Sequence, residues 1–395
     1  MSDNIQQLNI SVTAEKNNPE LVEDALSLKN TLPLRFTLVM MIFVYHSDVF
    51  FDTPKTTYDL GLLSVTVFFF LSGYGLEESL RNKKGYLKRF MEKRIPSILI
   101  PFWVQGLIGV VVTALFLGNI DFLYEISRVF FAVPHWYVLQ LLTFYLVFYF
   151  CNVLFRERRH ITLAMLLLIP VTMILMGKYF LSELYLMSGL GFLGGVLFSH
   201  LRNTRSLKKE NLRLIPVLIF FILLFTLVAD YPSLLSSRTD VEITFSFGHI
   251  LYIMSWTGLR TISFTLLLIM LYMRDLRRNY GLLLLFAIFF AIEFLGTPSW
   301  LYPETYFAIG SICVHVTLGK IRALYPLLKF GGEMSFEIYL LHWIVFVIVS
   351  NMGIPSYFIN MAVSFMITMS LAFISFKMSS FILDNYKRSI DGNPA

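Results

Sequence analysis

The sequence predicts an all-α fold, a polytopic transmembrane helix bundle of about 10–12 helices with both termini in the cytoplasm. Three observations carry that prediction. Of 395 residues, 56% are hydrophobic and only 15% charged, with a mean hydropathy of +0.68, whereas soluble domains carry about 25% charged residues. The apolar residues arrive in long runs, several of them near the ~20 residues a helix needs to cross the hydrocarbon core. The basic residues alternate from loop to loop. With the N-terminus inside, the segments 1–35, 78–95, 155–160, 200–213, 274–279, 319–334 and 377–395 hold 27 of the 32 lysines and arginines, the asymmetry expected of cytoplasmic loops.

Taken in order, residues 1–31 are polar, with Asn17, Asn18 and Pro19 at their middle. They lack the basic start, short apolar core and small-residue cleavage site of a signal peptide, and are expected to form a flexible cytoplasmic tail. A single transmembrane domain follows over 32–376, then a cytoplasmic C-terminal tail over 377–395. The candidate spans are 32–51, 58–77, 96–117, 135–154, 161–179, 182–199, 212–229, 248–273, 280–295, 303–319, 335–350 and 355–376. Four of these, 182–199, 280–295, 303–319 and 335–350, are short enough to be tilted, re-entrant or merged. The crossings therefore number ten, eleven or twelve.

Composition also excludes function classes. A formal charge of +6 would suit nucleic acid, but the cations sit in short loops between apolar segments, so no nucleic-acid partner is expected. Cys151 and Cys313 both lie in apolar runs and give neither a disulfide framework nor a metal site. The chain has no Gly-x4-Gly-Lys-Ser/Thr, His-Glu-x-x-His or Gly-x-Ser-x-Gly motif, which removes the case for a nucleotide-driven pump, a zinc protease or a serine hydrolase.

Ionisable residues inside apolar spans are costly and mark candidate sites. His46, Arg260, Glu293, His315, Glu337 and His342 lie within runs, and Arg35 and Arg94 stand at their cytoplasmic edges. Arg35 and His46 are eleven positions apart, three turns plus roughly 20°, so they share one helix face about 16 Å apart along the axis. Ser335, Tyr339 and His342 follow at i, i+4 and i+7 on one face, with Glu337 pointing elsewhere. Polar groups in hydrocarbon must find partners, so these residues are structural links or site residues. Arg260 requires a carboxylate, backbone carbonyls or a watery cavity, and Glu293 is a candidate partner. The Gly191 to Gly195 spacing reads as close helix packing.

Arg35, ten intervening residues and His46 resemble the Arg-x10-His signature of the membrane acyltransferase-3 family. Further segments agree in order. Ser64-Val-Thr-Val-Phe-Phe-Phe-Leu-Ser72-Gly73-Tyr74 is similar to the family's Gly-Val-x-x-Phe-Phe-x-x-Ser-Gly helix, with Ser64 in place of glycine. A basic loop with Arg94 leads into Pro101-Phe102, and His135-Trp136-Tyr137 heads the fourth span. Gly332-Glu-Met-Ser335-Phe-Glu-Ile-Tyr339-Leu-Leu-His342 is similar to Gly-x-x-Ser-x-x-Ile-Tyr-x-x-His. The departure is in the loop, where the family commonly has Arg-x-x-Arg and this chain has Arg94-Ile-Pro-Ser97, leaving Lys93 or Arg89 as the candidates for the second cation.

The resemblance implies an integral membrane acyltransferase of the cell (plasma or inner) membrane. It implies transfer of an acyl group, acetyl by default, from cytoplasmic acyl-CoA to a hydroxyl of a cell-surface glycan or lipid-linked sugar, without a metal. A polysaccharide synthesis system and membrane lipids are the expected partners. In that scheme Arg35 and Arg94 bind donor phosphates, which suit guanidinium geometry. His46 acts as general base or is transiently acylated. Ser72, Trp136, Tyr137, Ser335, Tyr339 and His342 line the substrate path. Two other classes fit parts of the sequence: a twelve-helix secondary transporter, which would use Arg260, Glu293 and His342, and a non-catalytic module with an acyltransferase-like core.

Overall fold

A computed structural model describes residues 28–51, 58–118, 135–203 and 323–391, together with Leu26, Asp121, Ile126, Val129, Ile250, Ile253 and Met254. In chain order the elements are α1 Leu28–Phe50, α2 Tyr58–Asn82, a 3-10 turn Tyr86–Arg89, α3 Phe90–Arg94, α4 Pro96–Leu117, α5 Trp136–Leu154 and α6 Arg158–Phe180. They continue with α7 Leu184–Met187, α8 Leu190–Asn203, α9 Tyr325–Glu333, α10 Ser335–Ser350 and α11 Tyr357–Asp391. No strand occurs among the described residues. The protein is an all-α polytopic membrane bundle. Five of its described helices are long and apolar enough to cross a membrane, and six if α9 and α10, which meet at a 72° break, form one span.

Some boundaries differ from those expected. The first helix begins at Leu28, inside the tail taken as flexible. The candidate span 182–199 divides into α7 and α8, because Ser188 interrupts the helix before Gly189. The last helix does not end near 376 but continues through the expected tail to Asp391. At 1.5 Å per residue it is ~52 Å long, against ~30 Å of hydrocarbon, so its Lys377, Asp384, Lys387 and Arg388 end extends past the bilayer core. Its buried face is a stripe of small side chains, Asn360, Ser364, Thr368, Ala372, Ser375 and Ser379, on a helix that packs against α10 and α4.

Within lipid, helices gain nothing by hiding apolar surface from one another, so close backbone approach and polar links hold the bundle. Glycine provides the approach. A Cβ on Gly191 would strike the Thr66 carbonyl, one on Gly195 the Phe70 carbonyl, and one on Gly73 the Phe192 carbonyl. Thr66 with Gly191, Phe70 with Gly195 and Glu78 with Ser199 ascend together in the two helices, so α2 and α8 run parallel with their backbones nearly touching. The Gly191 to Gly195 spacing is thus a packing device, as its sequence suggested. Elsewhere in the fold, Gly332 abuts the Leu32 carbonyl and Gly331 the Phe36 ring, which clamps α9 to the first turns of α1. Between these contacts an aromatic core forms around Phe69, Phe144 and Phe192, with Phe144 in ring contact with each of the other two at 5.4 Å.

Polar links close one end of the bundle. Glu77, almost fully buried, pairs with both Arg158 and Arg81. Ser199 donates to Glu78 at 2.6 Å, and Arg81 donates to the Ser199 carbonyl at 3.4 Å. The ends of α2, α6 and α8 meet here, and each adjoins a segment expected in the cytoplasm. Because both arginines remain about 30% exposed, water softens the loss of the shared carboxylate. Glu77→Gln is therefore expected to lower stability by about 1–2 kcal/mol, measured as an earlier thermal unfolding midpoint of detergent-solubilised protein. An unchanged midpoint would remove this cluster from the links that hold the bundle.

Candidate active site

The long α1 helix places Arg35 and His46 on one face, and α10 lies beside it with Tyr339 and His342 turned inward. A contact between the two helices joins residues 296 positions apart: His46 Nδ1 lies 2.6 Å from His342 Nε2. The rings are nearly parallel, 14° apart, with centroids at 4.8 Å. His342 Nδ1 in turn lies 3.2 Å from the Ile338 carbonyl, one turn earlier on α10.

This chain of contacts fixes the protons. A carbonyl only accepts, so a neutral His342 carries its proton on Nδ1 and donates it to Ile338. His342 Nε2 is then an acceptor, and His46 Nδ1 must donate to it. His46 Nε2 is left with a free lone pair. A backbone carbonyl thus orients one imidazole, which orients a second, in the manner by which an outer partner fixes the tautomer of a working histidine. Trp343 closes the other side of the His46 ring edge-on, with centroids 5.2 Å apart and planes at 84°.

The polar path continues away from the histidines. The Tyr339 ring packs 5.9 Å from His342 and 5.1 Å from Tyr137. The Tyr339 hydroxyl lies 3.2 Å from His135 Nδ1 at the head of α5. Tyr137 and Tyr145, two turns apart on α5, both approach the Ser72 hydroxyl, which also donates to the Phe68 carbonyl of its own helix at 2.9 Å. Arg35 is within electrostatic range of Tyr145, Tyr137 and Arg94. Arg94 donates from Nε to the Tyr86 hydroxyl at 2.7 Å and from Nη2 to Ser79 Oγ at 3.2 Å. A line of polar side chains therefore runs through the apolar bundle from two neighbouring guanidiniums to the paired imidazoles.

The sequence-derived candidates divide accordingly. Arg35, Arg94, Ser72, Tyr137, Tyr339, His342 and His46 fall along this line. Trp136 stands beside it, in ring contact with Tyr137 at 6.2 Å and with Tyr185 at 6.3 Å. Ser335 is buried at the head of α10, two turns from His342. Arg89 is engaged by Glu92 at 3.2 Å on the surface, whereas Arg35 is within electrostatic range of Arg94. Ser97, where the second loop arginine would stand, donates its hydroxyl to the Arg94 carbonyl at 2.7 Å. Arg260, Glu293 and His315 lie outside the described residues. No cluster of metal-ligating side chains occurs among those described.

Sequence reasoning left His135 and Tyr145 without roles. His135 was visible as the ionisable residue directly before an aromatic helix head. Tyr145 was hidden in the Phe- and Tyr-rich run of α5, where nothing in spacing separates it from core aromatics.

A family model described as an acyltransferase domain, that of acyltransferase-3, matches residues 34–280, more than half of the chain. The chain belongs to the acyltransferase-3 family. No curated protein and no solved structure matches it. The match opens one residue before Arg35 and includes His46, Ser72, Arg94 and His135, while Ser335, Tyr339 and His342 lie beyond its end. This acyltransferase-3 protein is therefore a multi-pass membrane acyltransferase, and the geometry above bears on how it works.

Proposed function

We propose that this acyltransferase moves an acyl group, acetyl in the simplest case, from cytoplasmic acyl-CoA to a hydroxyl of a cell-surface glycan or lipid-linked sugar precursor in the cell membrane. The observation that carries the reading is the relay from the Ile338 carbonyl through His342 to His46, which leaves an unprotonated His46 Nε2 inside the bundle.

Arg35 and Arg94 supply two fixed positive charges for the donor's phosphates, and Arg suits phosphate geometry. An extended pantetheine arm can follow the line past Ser72 and Tyr137 toward Tyr339. At the far end His46 Nε2 takes the proton of the acceptor hydroxyl as its oxygen attacks the thioester carbon. Collapse of the tetrahedral intermediate breaks the carbon–sulfur bond, and the thiolate takes the proton back from His46. The products are an ester and free CoA. His342 steadies the charge that His46 carries transiently by accepting its Nδ1–H. In this reading Trp136 and Ser335 position helices around the path, and any link to a polysaccharide synthesis system runs through the acceptor.

The test supplies radiolabelled acetyl-CoA to membranes containing wild type or His46→Ala and follows label into lipid-linked and polymeric glycan fractions. Wild type is expected to label a glycan. The variant, inserted in equal amount, is expected to lose roughly 10²- to 10⁴-fold in rate. Equal labelling by both would remove His46 from the chemistry.

A further inference from the structure

The proposed relay uses His46 and His342 but leaves a third imidazole unexplained. His135 Nδ1 lies 3.2 Å from the Tyr339 hydroxyl, and the two rings meet edge to face with centroids 5.4 Å apart and planes at 79°. His135 is also within electrostatic range of both His46 and His342.

The pair contains two exchangeable protons, one phenolic and one on the neutral imidazole, and a single hydrogen bond between them uses one. Burial decides which. Tyr339 is 4% exposed, and among the described residues its hydroxyl bonds to His135. A phenolic proton left unpaired there would carry the full cost of its lost hydration. His135 heads α5 with part of its surface accessible, which leaves room for water or substrate at its second nitrogen. The phenol therefore donates to Nδ1, and the imidazole proton sits on Nε2.

Resting on the acyl transfer proposed above, we infer that His135 Nε2–H donates to the thioester carbonyl oxygen as negative charge develops on it, with Tyr339 as the positioning residue that fixes the tautomer. The two hydrogen-bonded chains then have opposite polarity. The chain that ends on a carbonyl leaves a lone pair at His46, and the chain that begins at a phenol leaves a proton at His135. Attack on a thioester needs both, a base at the nucleophile and a donor at the carbonyl oxygen. As the acceptor oxygen bonds to carbon, the carbonyl π pair moves onto oxygen and is held by the His135 N–H. When that pair returns and expels the thiolate, the proton that neutralises sulfur comes from His46, and the His135 proton stays in place throughout.

The test uses full-length protein in membranes with acetyl-CoA as donor, following free-thiol release and glycan labelling together, each normalised to inserted protein. His135→Phe is expected to lower kcat about 100-fold, as loss of one oxyanion donor does elsewhere, with KM for acetyl-CoA changed by less than about twofold. His135→Gln, whose amide N–H reaches near the Nε2 position, is expected to regain about tenfold of that loss. Tyr339→Phe should cost less than His135→Phe and nothing further in the His135→Phe background, since it acts through His135. A His135→Phe variant within about threefold of wild-type kcat, or one altered only in KM, overturns the inference while His46→Ala still reports the base. Inactive wild type overturns the acyl-transfer reading itself, and this inference with it.

Discussion

His342→Leu is expected to lower acyl transfer by roughly two to four orders of magnitude. Leucine fills the space but offers no acceptor to His46 Nδ1, which now sits 2.6 Å from His342 Nε2. The His46 proton is then free to move to Nε2, the nitrogen that must be empty to act as base, and the ring loses the partner that orients it. His342→Gln separates this effect from simple packing loss. Its side-chain oxygen can accept near the position of the missing Nε2, so it should recover a substantial part of the rate that leucine abolishes. Thiol release from acetyl-CoA, measured for both variants at matched membrane content, checks the expectation. If glutamine and leucine are equally impaired while both insert normally, His342 does not act through the His46 tautomer.

The second large effect concerns the scaffold. Leucine at Gly195 is expected to destabilise the bundle by about 3 kcal/mol, the upper end of overpacking. Its Cβ would meet the Phe70 carbonyl and the Tyr74 nitrogen, which are backbone atoms of α2 and cannot rotate aside. The helices must part along their length, which also pulls Ser199 away from Glu78 at the end of the same interface. A lowered unfolding midpoint in detergent, with a further drop when Gly191→Leu is added, is the expected result. By contrast Gly75, whose Cβ would meet nothing within 4 Å, should accept alanine with little change. Equal tolerance at Gly75 and Gly195 would contradict the close α2–α8 packing.

What the sequence made legible follows from the range of each interaction. The shared face of Arg35 and His46, and that of Ser335, Tyr339 and His342, are properties of single helices and can be computed from 100° per residue. The Gly191 to Gly195 spacing likewise announces close packing without naming the partner. The pairing of His46 with His342 spans 296 positions, and no local pattern encodes it; ordered motifs suggested a common site but not a hydrogen bond. That Arg35 comes within electrostatic range of Arg94 is likewise a property of the packed bundle, invisible in a loop that departs from the family's two-arginine pattern. Tyr145 gave no signal among the core aromatics and His135 a weak one, because a histidine at a helix head reads as an interfacial residue until Tyr339 is seen beside it.

Arg35 and His46 stand on one uninterrupted helix, and that makes α1 a ruler. Eleven residues set a rise of ~16 Å between the Arg35 and His46 backbones. In the proposed reaction, a donor held by its phosphate at Arg35 reacts at His46 only if its acyl carbon lies about that far from the phosphate. A thioester on a long pantetheine arm has the required reach, whereas an acyl phosphate anchored at Arg35 would leave its carbonyl three turns short of His46. Adding one residue to the helix between them would swing His46 about 100° around the axis, so the scale can be read only in whole faces of the helix.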